Sequence, residues 1–239
     1  MLNLNNFENK IYSQHGEDGI TIKLVETIYE NPFEKHFVEF GVDNGLECNA
    51  RILREKFNWS GLMMDGGFEN THLNLKREFV TKENVLDLFR KYNVPHHINF
   101  LSIDIDYNDF YCAKEILKEH ICDILVFEYN GTHLPTEDKI IIYNKFSGWD
   151  GYNYFGASLL SWKKLANLYD YSLVCCDSSG TNCYFVNNKI IKERNLQFLN
   201  LDDINSLYRP PIYGDGPNGG HRDDTFKRTY LNFETAILR

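Results

Sequence analysis

The sequence predicts an α/β protein built on a Rossmann-like sheet of seven strands, mostly parallel with a terminal antiparallel hairpin, plus a short C-terminal extension. Three observations carry this. Short apolar runs bounded by turn residues alternate with helix-period stretches of about 10–15 residues, the pattern of strands covered by helices on both faces. The last two runs are separated only by DSSGTN, which is hairpin rather than crossover chemistry. Hydrophobic residues make up 43% of the 239 positions, enough to bury a core without disulfides or structural metal.

The elements follow in order. Ile20, Ile22, Leu24, Val25 and Ile28 give residues 18–30 a helical period, stopped by Asn31-Pro32. His36-Phe37-Val38-Glu39-Phe40 ends in Gly41 and reads as the first strand. Residues 46–57 are predicted helical, and Gly61-Leu62-Met63-Met64 is a second strand ending at Asp65. Phe79-Val80 is expected as a third, short strand, with Thr81 capping the helix over residues 83–92. Residues 98–104 form the fourth strand, 109–120 a helix and 123–128 the fifth strand. After a long polar and aromatic loop, 157–169 returns to helical period. Strands 172–176 and 183–186 form the hairpin, which places one antiparallel strand at an edge of the sheet. Residues 1–189 are thus expected as one domain with an N-terminal helical cap. Residues 190–239 are expected as an extension packed on it, with a helix at 201–208, then Arg209-Pro210-Pro211 and the Gly-rich run at 213–221.

Composition narrows the function. With Lys+Arg 25 against Asp+Glu 34 the net charge is -9, a poor match for a phosphate backbone, so no nucleic-acid partner is expected. No apolar run approaches the ~18 residues of a membrane helix. The opening MLNLNNFENK lacks the charged and apolar regions of a signal peptide. Six cysteines, mostly within apolar stretches and none in a C-x-x-C pair, fit a reducing compartment, and the expectation is a cytoplasmic protein.

In an open α/β sheet, ligands bind beyond the carboxyl ends of the strands. The turn after the first strand, Glu39-Phe40-Gly41-Val42-Asp43-Asn44-Gly45, offers two glycines for a sharp turn and a close backbone approach. A tight turn with no ligand explains the same residues. Asp65, 20 residues after Gly45, stands where such folds put a carboxylate on ribose hydroxyls, although Asp65-Gly66-Gly67 is also a good turn. The spacing is E-x-G-x-x-x-G rather than the G-x-G-x-x-G of a pyrophosphate cradle. Glu39 and Asp43 repel phosphate and attract the ammonium and sulfonium of S-adenosylmethionine.

These features, with the terminal hairpin and the FVEFGVDNGLECN turn, resemble class I S-adenosylmethionine-dependent methyltransferases. YSQHGEDGI at 12–20, VEFG, NGLECN, LSIDID, EYN and YFGASL resemble more specifically the FkbM-like methyltransferases of glycan and capsule biosynthesis, over Tyr12 to Val186. Asp65-Gly66 departs from the Glu-Pro common in that family. The resemblance implies that Glu39, Gly41 and Gly45 form the methionine-side turn and that Asp65 takes the ribose. It further implies that Gln14, Glu17 and Asp18 close over the methionine or substrate end; capping of the following helix is the alternative for Glu17 and Asp18.

Asp104 and Asp106 end the fourth strand, and Glu128 and Asn130 the fifth. Alternation along a strand points each pair to one side. Three roles compete: Asp104, Asp106, Glu128 and Asn130 ligating Mg²⁺, Mn²⁺ or Ca²⁺; Asp104 or Glu128 acting as general base on an acceptor hydroxyl; or plain strand-end polar groups with Asp109 as a helix cap. His133 and His221 are loop histidines that would serve as alternative catalytic bases or stand simply solvated. The aromatic segment 149–155 suits a sugar-binding wall or plain core packing, and Arg209, Arg222, Lys227 and Arg228 suit a phosphate or nucleotide on the acceptor or ordinary surface charge. The expected activity is O-methylation of a sugar hydroxyl, in polysaccharide or nucleotide-sugar biosynthesis, and the aromatic-rich extension is compatible with a homodimer. Two alternatives stand beside it: an NAD-dependent sugar oxidoreductase, for which Tyr111 and Lys114 miss the Tyr-x-x-x-Lys spacing by one, and a non-catalytic module of a glycan assembly complex.

Overall fold

Strand β4 (His97–Ile103) is the middle strand of the computed structural model, which describes residues 1–216 and 219–239. Around it lie β1 (His36–Phe40), β2 (Ser60–Asp65), β3 (Leu75–Arg77), β5 (Ile121–Glu128), β6 (Tyr171–Cys176) and β7 (Asn182–Asn187), in the order β3-β2-β1-β4-β5-β7-β6. All pairings from β3 to β5 are parallel, whereas β7 runs antiparallel to both β5 and β6. The antiparallel strand is therefore not at the edge, as the hairpin alone suggested. The crossover from β5 to β6 leaves a gap one strand wide, and the returning arm of the hairpin fills it, leaving β6 outermost.

Successive strand residues feed two separate cores, because the pleat alternates side chains between faces. Val38, Leu101, Leu125 and Phe127 face α3 (Val85–Lys91), α4 (Asp109–Glu119) and α5 (Leu159–Leu168). Phe37, Phe100, Ile124 and Val126 face α1 (Glu17–Ile28) and α2 (Arg51–Phe57). Trp162 of α5 stacks on Phe127 at 4.2 Å and donates its indole N–H to the Glu128 carbonyl at 2.8 Å, fixing the end of β5. The C-terminal region shares the first core through Leu207 and Ala236. It carries three short helices, α6 (Asn188–Glu193), α7 (Ile204–Leu207) and α8 (Phe233–Ala236), where the sequence suggested one over 201–208.

Other elements shift. The third strand is Leu75–Arg77, not Phe79-Val80: Leu75 is the residue that packs inward, while Phe79 is 58% exposed and turns toward the cleft described below. Helix α2 starts at Arg51 rather than 46: residues 46–50 run in bends and turns, and the Asn49 and Ala50 N–H groups are taken by the Glu39 carboxylate. Helix α3 is entered through Asn84, whose side chain accepts from the Thr81 N–H at 2.7 Å, so Thr81 is not its cap. No helix among the described residues is long and apolar enough to cross a membrane. The six cysteines are buried and unpaired.

The tightest backbone approach lies where β1 ends. Gly41 has φ +78, its N–H donates to the Met64 carbonyl at 3.0 Å, and a β-carbon there would sit 1.4 Å from the Asp104 carbonyl oxygen. Gly41→Ala is expected to destabilise the fold by about 3 kcal/mol or more, combining left-handed strain with a backbone clash. Gly67→Ala, where an added β-carbon meets only an Asp65 oxygen at 3.5 Å, should stay within about 0.5 kcal/mol. Urea denaturation of the two variants checks both.

Candidate functional site

Beyond the carboxyl ends of β1, β2 and β4 opens a cleft of about 330 Å³, within the range of small-molecule sites. Its wall includes Gln14, Glu17, Glu39, Gly41, Asp43 and Asp65, the turn and carboxylate residues singled out in the sequence. Eight carboxylates line it, from Glu17, Glu39, Asp43, Glu47, Asp65, Glu78, Asp104 and Asp106, and no Lys, Arg or His does so among the described residues. Apolar contact is supplied by Val42, Met64, Phe79, Val80 and Ile105.

The carboxylates differ in what holds them. Glu39 is buried and accepts the N–H groups of Asn49 at 2.9 Å and Ala50 at 2.8 Å, so it organises the turn into α2. Burial pushes its carboxyl pKa up, against the pull of these two donors. Asp65 accepts from Gly67 at 2.7 Å and Phe68 at 3.2 Å on one oxygen, and from Asp43 N–H at 2.9 Å on the other. That last bond ties the β1 turn to the end of β2 and aims a half-buried carboxylate with acceptor capacity to spare. Gly45, at φ +74, packs a bare backbone against Met63 and Leu73 and does not line the cleft itself.

In the N-terminal motif, neighbours on one helix turn diverge. Glu17 faces the cleft. Asp18 does not: one of its oxygens collects the N–H groups of Ile11, Tyr12 and Ser13 at 2.6–2.8 Å and the Ser13 hydroxyl at 2.8 Å. Asp18 therefore closes the loop before α1 and is removed from the ligand-binding set.

At the β4 end of the cleft, one oxygen each of Asp104, Asp106 and Glu128 lie within 4.8 Å of one another; Asp104 and Asp106 line the cleft, and Glu128 stands behind them, outside its wall. Strand alternation is not the cause, since β4 stops at Ile103. A left-handed turn at Asp106, φ +64, brings its carboxylate back over Asp104. No N–H or O–H donor among the described residues reaches the Asp104 or Glu128 carboxyl, and one Glu128 oxygen is buried without a partner. Burial, with the repulsion of neighbouring carboxylates (Asp106 first for Asp104, Asp104 first for Glu128), holds both carboxyls well above the usual carboxylate range. Asp106 is raised by burial and by Asp43 and Asp65. Asp109, the neighbour expected to cap α4, accepts the Ile105 N–H and is pushed up to about 6 by burial.

Asn130 is a correction. Its amide donates to the carbonyls of Asn153 at 2.7 Å and Phe155 at 3.2 Å, and its oxygen accepts the Thr132 N–H and hydroxyl, which uses the full capacity of the group. It staples the aromatic loop and has nothing left for a cation. His133 is also outside the cleft, 5% exposed, edge-on to Tyr230 at 4.9 Å, with Nε2 unpartnered. His221 is not in the cleft wall either but packs among Trp149, Tyr213 and Phe155 with centroids 4.4–5.5 Å away, and burial lowers its pKa. Of the basic residues suggested for phosphate, Arg228 is paired with Asp224 and Asp150 and Arg209 donates to the carbonyls of Ser206 and Tyr208. In the Gly-rich run, Pro217 and Asn218 lie outside the described residues.

Sequence reasoning missed Glu47, Glu78, Asn108 and Asn182, all in the cleft wall. Asn182 had a signal, a polar residue opening the last strand, but it reads as part of the hairpin turn.

No protein-family model matches the chain, and no curated protein matches it. Among solved structures it is similar to the MycE methyltransferase from the mycinamycin biosynthetic pathway, in complex with Mg and SAH, at 11% identity and TM-score 0.44, covering 70% of this chain and 48% of that one. It is similar to the CurJ carbon methyltransferase at 12% identity and TM-score 0.38, covering 73% and 55%. Phosphoethanolamine N-methyltransferase 1 of Haemonchus contortus, in complex with phosphoethanolamine and S-adenosylhomocysteine, is similar at 12% identity and TM-score 0.37, covering 80% and 39%. The chain spans about half the length, or less, of these structures.

Burial of His133, with the positive charge of Lys139, lowers its pKa to about 4, so the folded protein holds it neutral while the unfolded chain protonates it near 6.5. The stability it contributes is complete above about pH 6.5 and is lost as pH falls toward 4. His133→Phe should lose less stability than wild type between pH 7 and pH 4.5, by about 2 kcal/mol in urea titrations; parallel losses would contradict this.

Proposed function

We propose that this chain is an S-adenosylmethionine-dependent O-methyltransferase acting on a sugar hydroxyl, in polysaccharide or nucleotide-sugar biosynthesis. The observation that carries the reading is the charge of the cleft: eight carboxylates, no basic side chain among the described residues, and at one end a carboxyl pair without donors. Such a wall repels the pyrophosphate of a dinucleotide and favours a ligand that brings cations and hydroxyls. The FkbM-like motifs agree with it, and the C-terminal region is compatible with a dimer contact.

Asp65 is placed to accept from ribose hydroxyls, and Phe79, Val80 and Ile105 offer an apolar wall for the base. Gly41 and Asp43 give backbone close to the methionine side. When bound, the donor supplies a sulfonium methyl with a good leaving group, so alignment of the acceptor oxygen supplies much of the rate. The Asp104–Glu128 pair lies where that oxygen would approach. As the oxygen bonds to the methyl carbon and the carbon–sulfur bond breaks, the pair takes the hydroxyl proton and S-adenosylhomocysteine leaves.

The same oxygens fit a divalent cation. Asp104, Asp106 and Glu128 are hard ligands, and a buried Glu128 oxygen has no partner. Mg²⁺ or Mn²⁺ held there would lower the pKa of an acceptor hydroxyl. At about 100 times its dissociation constant, Mg²⁺ should stabilise the wild-type protein by about 2.7 kcal/mol. The Asp104→Asn/Glu128→Gln double variant should show no Mg²⁺ response in a thermal melt; an equal response would remove the cation from this site.

Calorimetric titration tests the donor. S-Adenosylhomocysteine should bind wild type in the micromolar range, Asp65→Ala should bind it at least tenfold more weakly, and NAD⁺ should give no heat. Heat with NAD⁺ alone would replace the reading with an oxidoreductase. Silence with both would favour a non-catalytic module of a glycan assembly complex.

A further inference from the structure

We infer that Asn182, together with Glu17, is the receptor for the α-ammonium group of the donor, so that the head of β7 reads the amino-acid end of the nucleoside. The inference rests on the donor proposed above and assigns a residue to it that the sequence motifs do not contain. Asn182 opens β7 directly opposite Glu128 on β5 and lines the cleft. It is only 4% exposed. Its amide N–H donates to one Glu17 oxygen at 3.3 Å, and its own oxygen is buried without any donor. Glu17, 1% exposed, accepts the His15 N–H at 2.7 Å on its other oxygen and retains lone pairs on both.

The pair is thus an almost fully buried group of acceptors whose missing partners are hydrogen-bond donors. Orphaned buried acceptors are rare, and a single one in a cleft wall calls for a partner that arrives with a ligand. Among the described residues no Lys, Arg or His lines this cleft to serve. An alkylammonium, with three N–H donors and one positive charge, complements a carboxylate and an amide oxygen together. A hydroxyl would satisfy the amide oxygen but leave the buried Glu17 charge uncompensated. Asn182 is fixed by the β5–β7 ladder and Glu17 by the first turn of α1, so the receptor joins the N-terminal segment to the head of β7, opposite Glu128.

Two probes that share the nucleoside separate this from a structural role: S-adenosylhomocysteine, which carries the amino acid, and 5′-methylthioadenosine, which does not. Calorimetry on Asn182→Ala and on Glu17→Gln should show S-adenosylhomocysteine weakened at least tenfold, with 5′-methylthioadenosine bound within about twofold of wild type. Undiminished S-adenosylhomocysteine binding would overturn the assignment, and so would equal weakening of both probes, which marks a fold effect. Failure of the wild-type protein to bind S-adenosylhomocysteine would remove the donor reading itself and this inference with it. Binding of S-adenosylhomocysteine that is lost in Asp65→Ala but untouched in Asn182→Ala would keep the donor and discard the receptor.

Discussion

Gly41 and the Asp104 carbonyl approach too closely for any side chain at position 41, and the site depends on that approach. The Gly41 N–H bonds to Met64 at the end of β2, and the Asp104 N–H bonds to Phe40 at the end of β1. Three strand ends are thereby locked side by side, and with them Glu39, Asp65 and Asp104. A β-carbon at 41 would separate β1 from β4 at the point where the cleft begins. The left-handed turn that follows also lets the Asp43 N–H reach Asp65, so one glycine fixes both the floor of the cleft and the orientation of the Asp65 carboxylate.

Gathering so many carboxylates costs free energy, and at some of them, and at the neighbouring Asp18, backbone N–H groups offset it. Glu39 has two such donors, Asp65 three, and Asp18 three plus a hydroxyl. Charge-assisted bonds of this kind are strong and fully determined by the chain itself. Asp104 and Glu128 stand apart, with no hydrogen-bond donor among the described residues and carboxyls held well above the usual range. Satisfied carboxylates shape the site; unsatisfied ones are left for what enters it. The orphaned oxygen of Asn182 belongs with the second group.

Much of the architecture was legible in the sequence because strand-helix alternation and strand-end carboxylates are local signals. The gathering of Asp104, Asp106 and Glu128 followed from adjacent strands, although the means, a left-handed turn at Asp106, was not predictable from alternation. What was not legible depends on distant partners. Asn130 is consumed by the carbonyls of Asn153 and Phe155, and His133 is buried by Tyr230, almost a hundred positions away. Asp18 and Glu17 are adjacent and chemically alike, and only the backbone donors of residues 11–13 decide which one turns from the cleft. Phe79-Val80 has the apolar character of a strand but serves the cleft wall, since three residues at 75–77 already complete the edge of the sheet.

The proposed donor site holds an S-adenosyl nucleoside in this acidic cleft with its ribose on Asp65 and its sulfur toward Asp104 and Glu128. A crystal structure of the protein with S-adenosylhomocysteine tests it most directly. Density for the nucleoside is expected along the cleft, with both ribose hydroxyls within hydrogen-bond distance of the Asp65 carboxylate and the sulfur on the side of the carboxyl pair. A nucleoside bound elsewhere, or lying in the cleft with its ribose away from Asp65, would contradict it.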